Sequence, residues 1–271
     1  MRLSNPFTTL YRHRDLVVQF TLRELQLRHK GSRLGHFWAL LSPMTMLGLY
    51  LFVFGFIFKS KFLDDANETT FDYAITLFLG LIFFHVIAEA IAAAPLLIVN
   101  QPNYVKKVVF PLEIIPLATV ASSAYHALLS ILLLLVVAPF SHMGIDWAGV
   151  ALLPLLLLPL VLIALGLAWG LAALGVFVRD ISHMTPFAST AIMFSSCIFY
   201  PTSLAKDEPL IWVWLKYNPL LVLVDEARKL LFWREAIDFV ALGYVYGVAG
   251  ISVTLGYLLF ATLRPYFAEV I

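Results

Sequence analysis

Residues 147–178 form an unbroken run of 32 residues without a single charge. As one helix it would be about 48 Å long, against a bilayer hydrocarbon core of about 30 Å. Such a run belongs in a membrane, where it must tilt or begin as an interfacial segment. Pro154 and Pro159 favour a bend near its start. It is too short for two spans, so one crossing is expected.

The rest of the chain agrees. Of 271 residues, 61% are hydrophobic and 13% charged, and the mean hydropathy is +0.90. A soluble domain is nearer half apolar and a quarter charged. Further apolar runs at 39–58, 73–99, 114–139, 184–200 and 239–263 bring the expected number of spans to six. Residues 201–238 break the pattern. The stretch 210–223 is apolar and aromatic but contains Lys216 and the Asn218-Pro219 break, and 220–232 is amphipathic, with Asp225, Glu226, Arg228 and Lys229. Neither half can cross a bilayer. Both read as short re-entrant gate helices, tolerable where protein or a water-filled cavity satisfies the broken backbone.

Ahead of the first span, Leu16, Val17, Phe20 and Leu27 recur at helical spacing among Arg23, Arg28 and Lys30. The stretch 22–43, LRELQLRHKGSRLGHFWALLSP, then turns at Gly31 and Gly35 and enters the membrane through Phe37 and Trp38. A basic amphipathic helix of this kind is expected in the membrane interface, against the lipids; the alternative is an ordinary cytoplasmic helix packed on a neighbour. The expected fold is all-α and polytopic, with six transmembrane helices, an N-terminal amphipathic interface helix and two re-entrant gate helices before the last span. It forms a single transmembrane domain: 1–37 the interface segment, 38–200 spans one to five, 201–238 the gate helices, 239–271 the last span and tail.

Six spans put both termini on one side. That side carries 11 of the Lys and Arg residues against 7 on the other, and 5 acidic residues against 11. The positive-inside rule makes it cytoplasmic. No signal peptide is expected, because the first 30 residues are charged and lack an apolar core with a cleavage site.

Several chemistries lack their residues. No glycine is followed by lysine, so no phosphate-cradling P-loop is present. The chain has one cysteine, Cys197, which excludes a disulfide framework or Cys-based metal site within the chain. The seven histidines are scattered, and Asp64-Asp65 with Glu68 is a weak metal signal, so no metal, bound cofactor or catalytic residue is expected, nor a nucleic-acid partner. Glu89 is the one formal charge well inside a span, where charges are functional candidates by default; it could equally pair with His85, one turn earlier. Gly166-x-x-x-Gly170 and Gly243-x-x-x-Gly247 permit close helix approach. Phe194, Phe199, Tyr200, Trp212, Trp214 and Tyr217 could stack on sugar faces or simply populate the membrane interface.

RELQLRHKGSRLGHFWALLSP, NQPNYVKKVVFP, VRDISHM, FYPTSLAKDEPLIWVWLKYNPL and PYFAEVI together resemble the membrane subunit of bacterial polysaccharide ABC exporters, the family of O-antigen, teichoic-acid and capsule permeases. The resemblance implies a homodimer of six-span subunits in the bacterial inner membrane, exporting an undecaprenyl-type lipid-linked polysaccharide. ATP and Mg would sit on two copies of a separate P-loop ATPase. It implies coupling contacts to that ATPase at Asn103, Tyr104, Lys106, Lys107, Arg179 and Asp180. It implies a channel lined by the first and fifth spans, with Tyr50, Phe54, Phe194, Phe199, Tyr200, Trp212 and Trp214 as its aromatic residues. Arg23, Arg28, Lys30 and Arg33 would attract the lipid diphosphate at the cytoplasmic rim. Two other classes stay open: an exporter of a drug or lipid with the same architecture, and a membrane-embedded enzyme of glycan or lipid assembly, for which only His85 and Glu89 come near a catalytic cluster.

Overall fold

The computed structural model describes residues 12–28, 37–57, 62, 68–106 and 110–271. Lys30, Arg33, Lys107, Asp64, Asp65 and the Gly31–Gly35 turn lie outside the described residues. Within them the chain is all helical, with no strand. Helix α1 is Arg14–Arg28, and α2 is Trp38–Tyr50, continued by a π-helical segment Leu51–Ile57. Then come α3 (Thr70–Leu97), the short α4 (Pro102–Lys106), α5 (Ile114–Val137), α6 (Trp147–Phe177) and α7 (Ile181–Ser195). Three short helices follow, α8 (Thr202–Lys206), α9 (Pro209–Leu215) and α10 (Pro219–Arg228), before α11 (Phe239–Leu263) and the terminal turn α12 (Phe267–Val270).

Four helical stretches are long and apolar enough to cross a bilayer: Thr70–Leu97, Ile114–Phe140, Trp147–Phe177 and Phe239–Val270. The protein is a polytopic membrane protein. Leu41–Ile57 is a shorter apolar helix, and α7, with 15 residues, is about 22 Å long. Helix α3 is the centre of the bundle: every residue from 72 to 87 except His85 is buried. A helix apolar all round belongs in such a place, and α3 packs against α5, α6, α7 and α10.

One end of the bundle is built from side-chain caps. Thr69 and Asp72 form a capping box at the start of α3, and the second Asp72 oxygen accepts from the His142 amide at 3.0 Å. That is why Asp72 sits in the first turn of the helix, although its charge suggested the preceding loop. Asp146, Asn218 and Asp238 cap α6, α10 and α11 in the same way. At the opposite end Arg264 pairs with the buried Glu113 at 2.5 Å, the Trp169 indole donates to the Glu113 carbonyl, and Phe267 packs on Phe177 and Phe260.

Helix α6 runs unbroken through Pro154 and Pro159. Proline at 159 has no N–H for the carbonyl four residues back. The Tyr246 hydroxyl of α11 donates to that carbonyl, Leu155 O, at 3.0 Å. Pro186 in α7 has the same effect on Ser182, whose carbonyl accepts from the Thr185 hydroxyl. These two freed carbonyls are thus satisfied inside the protein, as a membrane requires.

Candidate functional site

Three neighbouring features carry the polar and aromatic candidates. The first joins α1 to α4. Phe20 packs edge-on to Tyr104 with ring centroids 5.5 Å apart, and against Phe110 at 4.9 Å. Arg23 donates to the Tyr104 hydroxyl at 3.0 Å and lies over the Phe20 ring. Asn103 and Lys106 are exposed on α4, and Arg179 and Asp180 are exposed at the turn between α6 and α7. Of the expected coupling residues, Tyr104 therefore faces α1 while these four face outward. The terminal α12 packs against α4 and α6 at the same end.

The second feature is a cavity of about 500 Å³ between α2, α3 and α5. Trp38, Ser42, Met46 and Tyr50 of α2 form one wall, and Ser123, His126 and Ser130 of α5 another. The third is α3, with Phe78, Leu81, Ile82, His85, Val86 and Glu89 at spacings that keep them on one face. At the end nearest α1, Arg28 bonds the Glu89 carboxylate at 2.5 Å. The salt-bridge partner of Glu89 is thus Arg28. His85 is the single exposed residue on the buried stretch of α3 because it faces this cavity.

The third feature is a string of rings. Phe54 stacks on Phe199 with centroids 5.1 Å apart, Tyr50 contacts both at 6.1 and 5.9 Å, and Phe194 joins through Phe199 at 5.8 Å. Four residues expected on the first and fifth spans are therefore brought together. The string runs on through Tyr73 to Phe62, over which the Arg228 guanidinium lies at 4.3 Å. Tyr200 donates to the Phe194 carbonyl at 2.6 Å and packs with Trp212 on the small cluster around Cys197. Trp212 also faces the Lys206 ammonium. Trp214 is 80% exposed and stands apart.

Arg228 anchors the short helices to this string. It is fully buried and donates to the carbonyls of Cys197 and Ile198 at 2.9 Å each, and to Thr76 at 3.4 Å. Cys197 has a left-handed backbone, φ 49°, which ends α7 and exposes those carbonyls; a cation there also meets the negative end of the helix. Burial lowers the Arg228 pKa to about 10, with Asp225 pulling it back up, so it stays charged at neutral pH. Among the described residues, no group of three or more His, Cys, Asp or Glu could hold a metal ion.

The sequence pattern of ABC-2 type transporters matches residues 16–232, which include all three features. The chain belongs to the ABC-2 type transporter family. Among its relatives, an O-antigen export system permease protein, RfbA, of Myxococcus xanthus is 26% identical over 260 residues, covering 96% of each chain. One of the same name from Klebsiella pneumoniae is 24% identical over 95% of each. The polysialic acid transport protein KpsM of Escherichia coli is 24% identical over 89% of this chain and 90% of its own.

Three parts of these sites escaped the sequence reading. Arg228 passed as one charge on an amphipathic helix. Glu113 and Arg264 are 151 residues apart. Ser123, His126 and Ser130 did carry a signal, since steps of three and four place them on one face of an otherwise apolar helix.

Proposed function

We propose that this family member is the channel-forming permease subunit of an ATP-driven exporter, which moves a lipid-linked, O-antigen-like polysaccharide from the cytoplasm across the inner membrane. Likeness over nearly the full length to O-antigen export permeases supports the substrate class. The observation that carries the reading is the meeting of Tyr50, Phe54, Phe199 and Phe194 between α2 and the end of α7. Aromatic faces suit sugar rings, and a glycan needs such a path because each buried hydroxyl without a partner costs kcal/mol.

In this reading α2 with its π-helical continuation and α7 complete six crossings, and α8–α10 form the external re-entrant gate. Both termini are cytoplasmic. The protein works as a homodimer with two copies of a P-loop ATPase, which holds ATP and Mg. That ATPase docks on Asn103, Lys106 and Lys107 together with Arg179 and Asp180. Its closure moves α4, and Tyr104 passes the motion to α1 through Phe20 and Arg23. Arg28 and Glu89 then shift the foot of α2 and reshape the path beside the aromatic string. Lys30 and Arg33, with Arg23 and Arg28 exchanging partners, draw the lipid diphosphate to the rim.

The test is reconstitution with a P-loop ATPase that copurifies with the chain. Glycan-stimulated ATP hydrolysis and ATP-dependent export into vesicles are expected, and Tyr50→Ala with Phe199→Ala should slow export while leaving the assembly intact. Export by the chain alone without ATP would sink the proposal.

A further inference from the structure

The cavity between α2, α3 and α5 has a graded polarity, and beyond Arg28, Glu89 and Tyr50 its lining has no part in the export reading. We infer that it is a binding site for a bilayer phospholipid with a zwitterionic head, whose phosphate meets Arg28, whose ammonium meets Glu89 and whose acyl chain lies along the Phe78–Val86 face of α3.

Charge complementarity selects the head. Arg28 offers a five-donor fork, and among the described residues it bonds Glu89 alone. Both side chains are partly exposed, 38% and 28%, and both line the cavity. A lone anion at Arg28 would share the guanidinium with the Glu89 carboxylate and be repelled by it, and a lone cation at Glu89 would meet the guanidinium. A head carrying both signs satisfies both at once.

Depth selects the tail. From Glu89 to Phe78 the cavity follows α3 for about 16 Å at 1.5 Å per residue. Half of a hydrocarbon core of about 30 Å is the reach of one leaflet's chains. His85 stands 12 residues before the end of α3 at Leu97 and His126 stands 12 after the start of α5 at Ile114, so both fall at one level, below the charged pair, where the ester oxygens would lie. Beyond them Leu81, Ile82 and Phe78 face Met46 and Ala127. Ser123 and Ser130 have already given their hydroxyl protons to the carbonyls of Thr119 and His126. That wall therefore offers an acyl chain little polar competition. The volume, about 500 Å³, lies within the usual range of about 300–1,000 Å³ for small-molecule sites.

The site would support α2, whose Met44, Leu49 and Phe52 are exposed and whose Tyr50 both closes the cavity and belongs to the ring string. Lipid in the cavity thus stands behind the wall that carries the aromatic residues.

The experiment is native mass spectrometry of the full-length chain, purified from membranes containing phosphatidylethanolamine and phosphatidylglycerol, then delipidated and titrated with each. One phosphatidylethanolamine per chain is expected, preferred about tenfold over phosphatidylglycerol. Ala127→Phe, which fills the cavity, should abolish retention. Glu89→Gln keeps the shape and removes the negative charge, so it should erase or reverse the preference whether or not the filled variant folds. Equal retention of the two lipids by the wild type, no stoichiometric lipid, or a preference unmoved by Glu89→Gln would overturn the assignment. The readout uses neither glycan nor ATP, so its outcome is separate from that of the export reading.

Discussion

Arg28, the last residue of α1, bonds Glu89 inside α3 at 2.5 Å. A helix expected on the membrane surface is thereby tied to a carboxylate within a span, where an unpaired charge is costly. Reversing either sign, Arg28→Glu or Glu89→Arg, sets like charges against each other and should cut export about threefold, while exchanging both residues should recover most of it. The coupling should be about 1 kcal/mol, because Arg28 is more than a third exposed and water screens the pair. A double-mutant cycle on vesicle transport measures it. Exchange no better than the single reversals would mean that the pair is incidental.

Tyr104 separates two contributions to the joint between α1 and α4. Tyr104→Phe keeps the rings packed on Phe20 and Phe110 and loses only the bond from Arg23, worth about 1 kcal/mol. Tyr104→Ala removes the packing as well. ATPase stimulation in the reconstituted complex should therefore fall about fivefold or less for the first and at least about tenfold for the second. Equal effects would show that the hydrogen bond, and not the ring, transmits the motion.

Much of this arrangement can be read from the residues themselves, and the limits are physical. The long runs at 73–99, 114–139, 147–178 and 239–263 become α3, α5, α6 and α11 because length and apolarity decide a span almost alone. The 184–200 run fares less well: α7 starts at Ile181 and stops at Ser195, where Arg228 has bonded the carbonyls beyond it. No periodicity announces that bond, since Arg228 reaches back about 30 residues. Glu89 stood out as an ionisable residue in a span, but its partner 61 positions earlier did not, because the nearer His85 satisfied the i, i+4 rule. Tyr50, Phe54, Phe194 and Phe199 meet although no spacing in the sequence joins the two stretches, whereas Trp214 carries the same chemistry and stands exposed.

Arg228 should tolerate no substitution. Its carbonyl acceptors, Thr76, Cys197 and Ile198, surround a fully buried side chain, and Arg228→Ala would take this donor from the Cys197 and Ile198 carbonyls just past the end of α7. Removing one member of a buried charged network costs about 3–5 kcal/mol. Arg228→Lys should recover little, because one ammonium cannot replace a planar fork aimed at three separate oxygens. Thermal unfolding in detergent, followed by the loss of monodisperse protein, reports the difference. A lysine variant as stable as wild type would show that charge alone holds the short helices in place.

Gly166 and Gly243 make the sharpest contrast, because each opens a G-x-x-x-G pair that the sequence presents as the equal of the other. Gly166 meets the backbone of α11 at Ser252, and a side chain on Gly256 would run into the Gly166 backbone. The helices approach there too closely for any Cβ, so Gly166→Val and Gly256→Val should each destabilise the bundle by about 1–3 kcal/mol or more. Gly243 and Gly247 face open space with nothing within 4 Å. Gly243→Ala and Gly247→Ala should leave the thermal stability of the isolated chain unchanged or slightly raised, since alanine favours a helix by up to about 1 kcal/mol over glycine. A loss of stability in the second pair that appears only in the assembled exporter would place α11 against another subunit. An equal loss in the isolated chain would mean that α11 packs differently from the arrangement described.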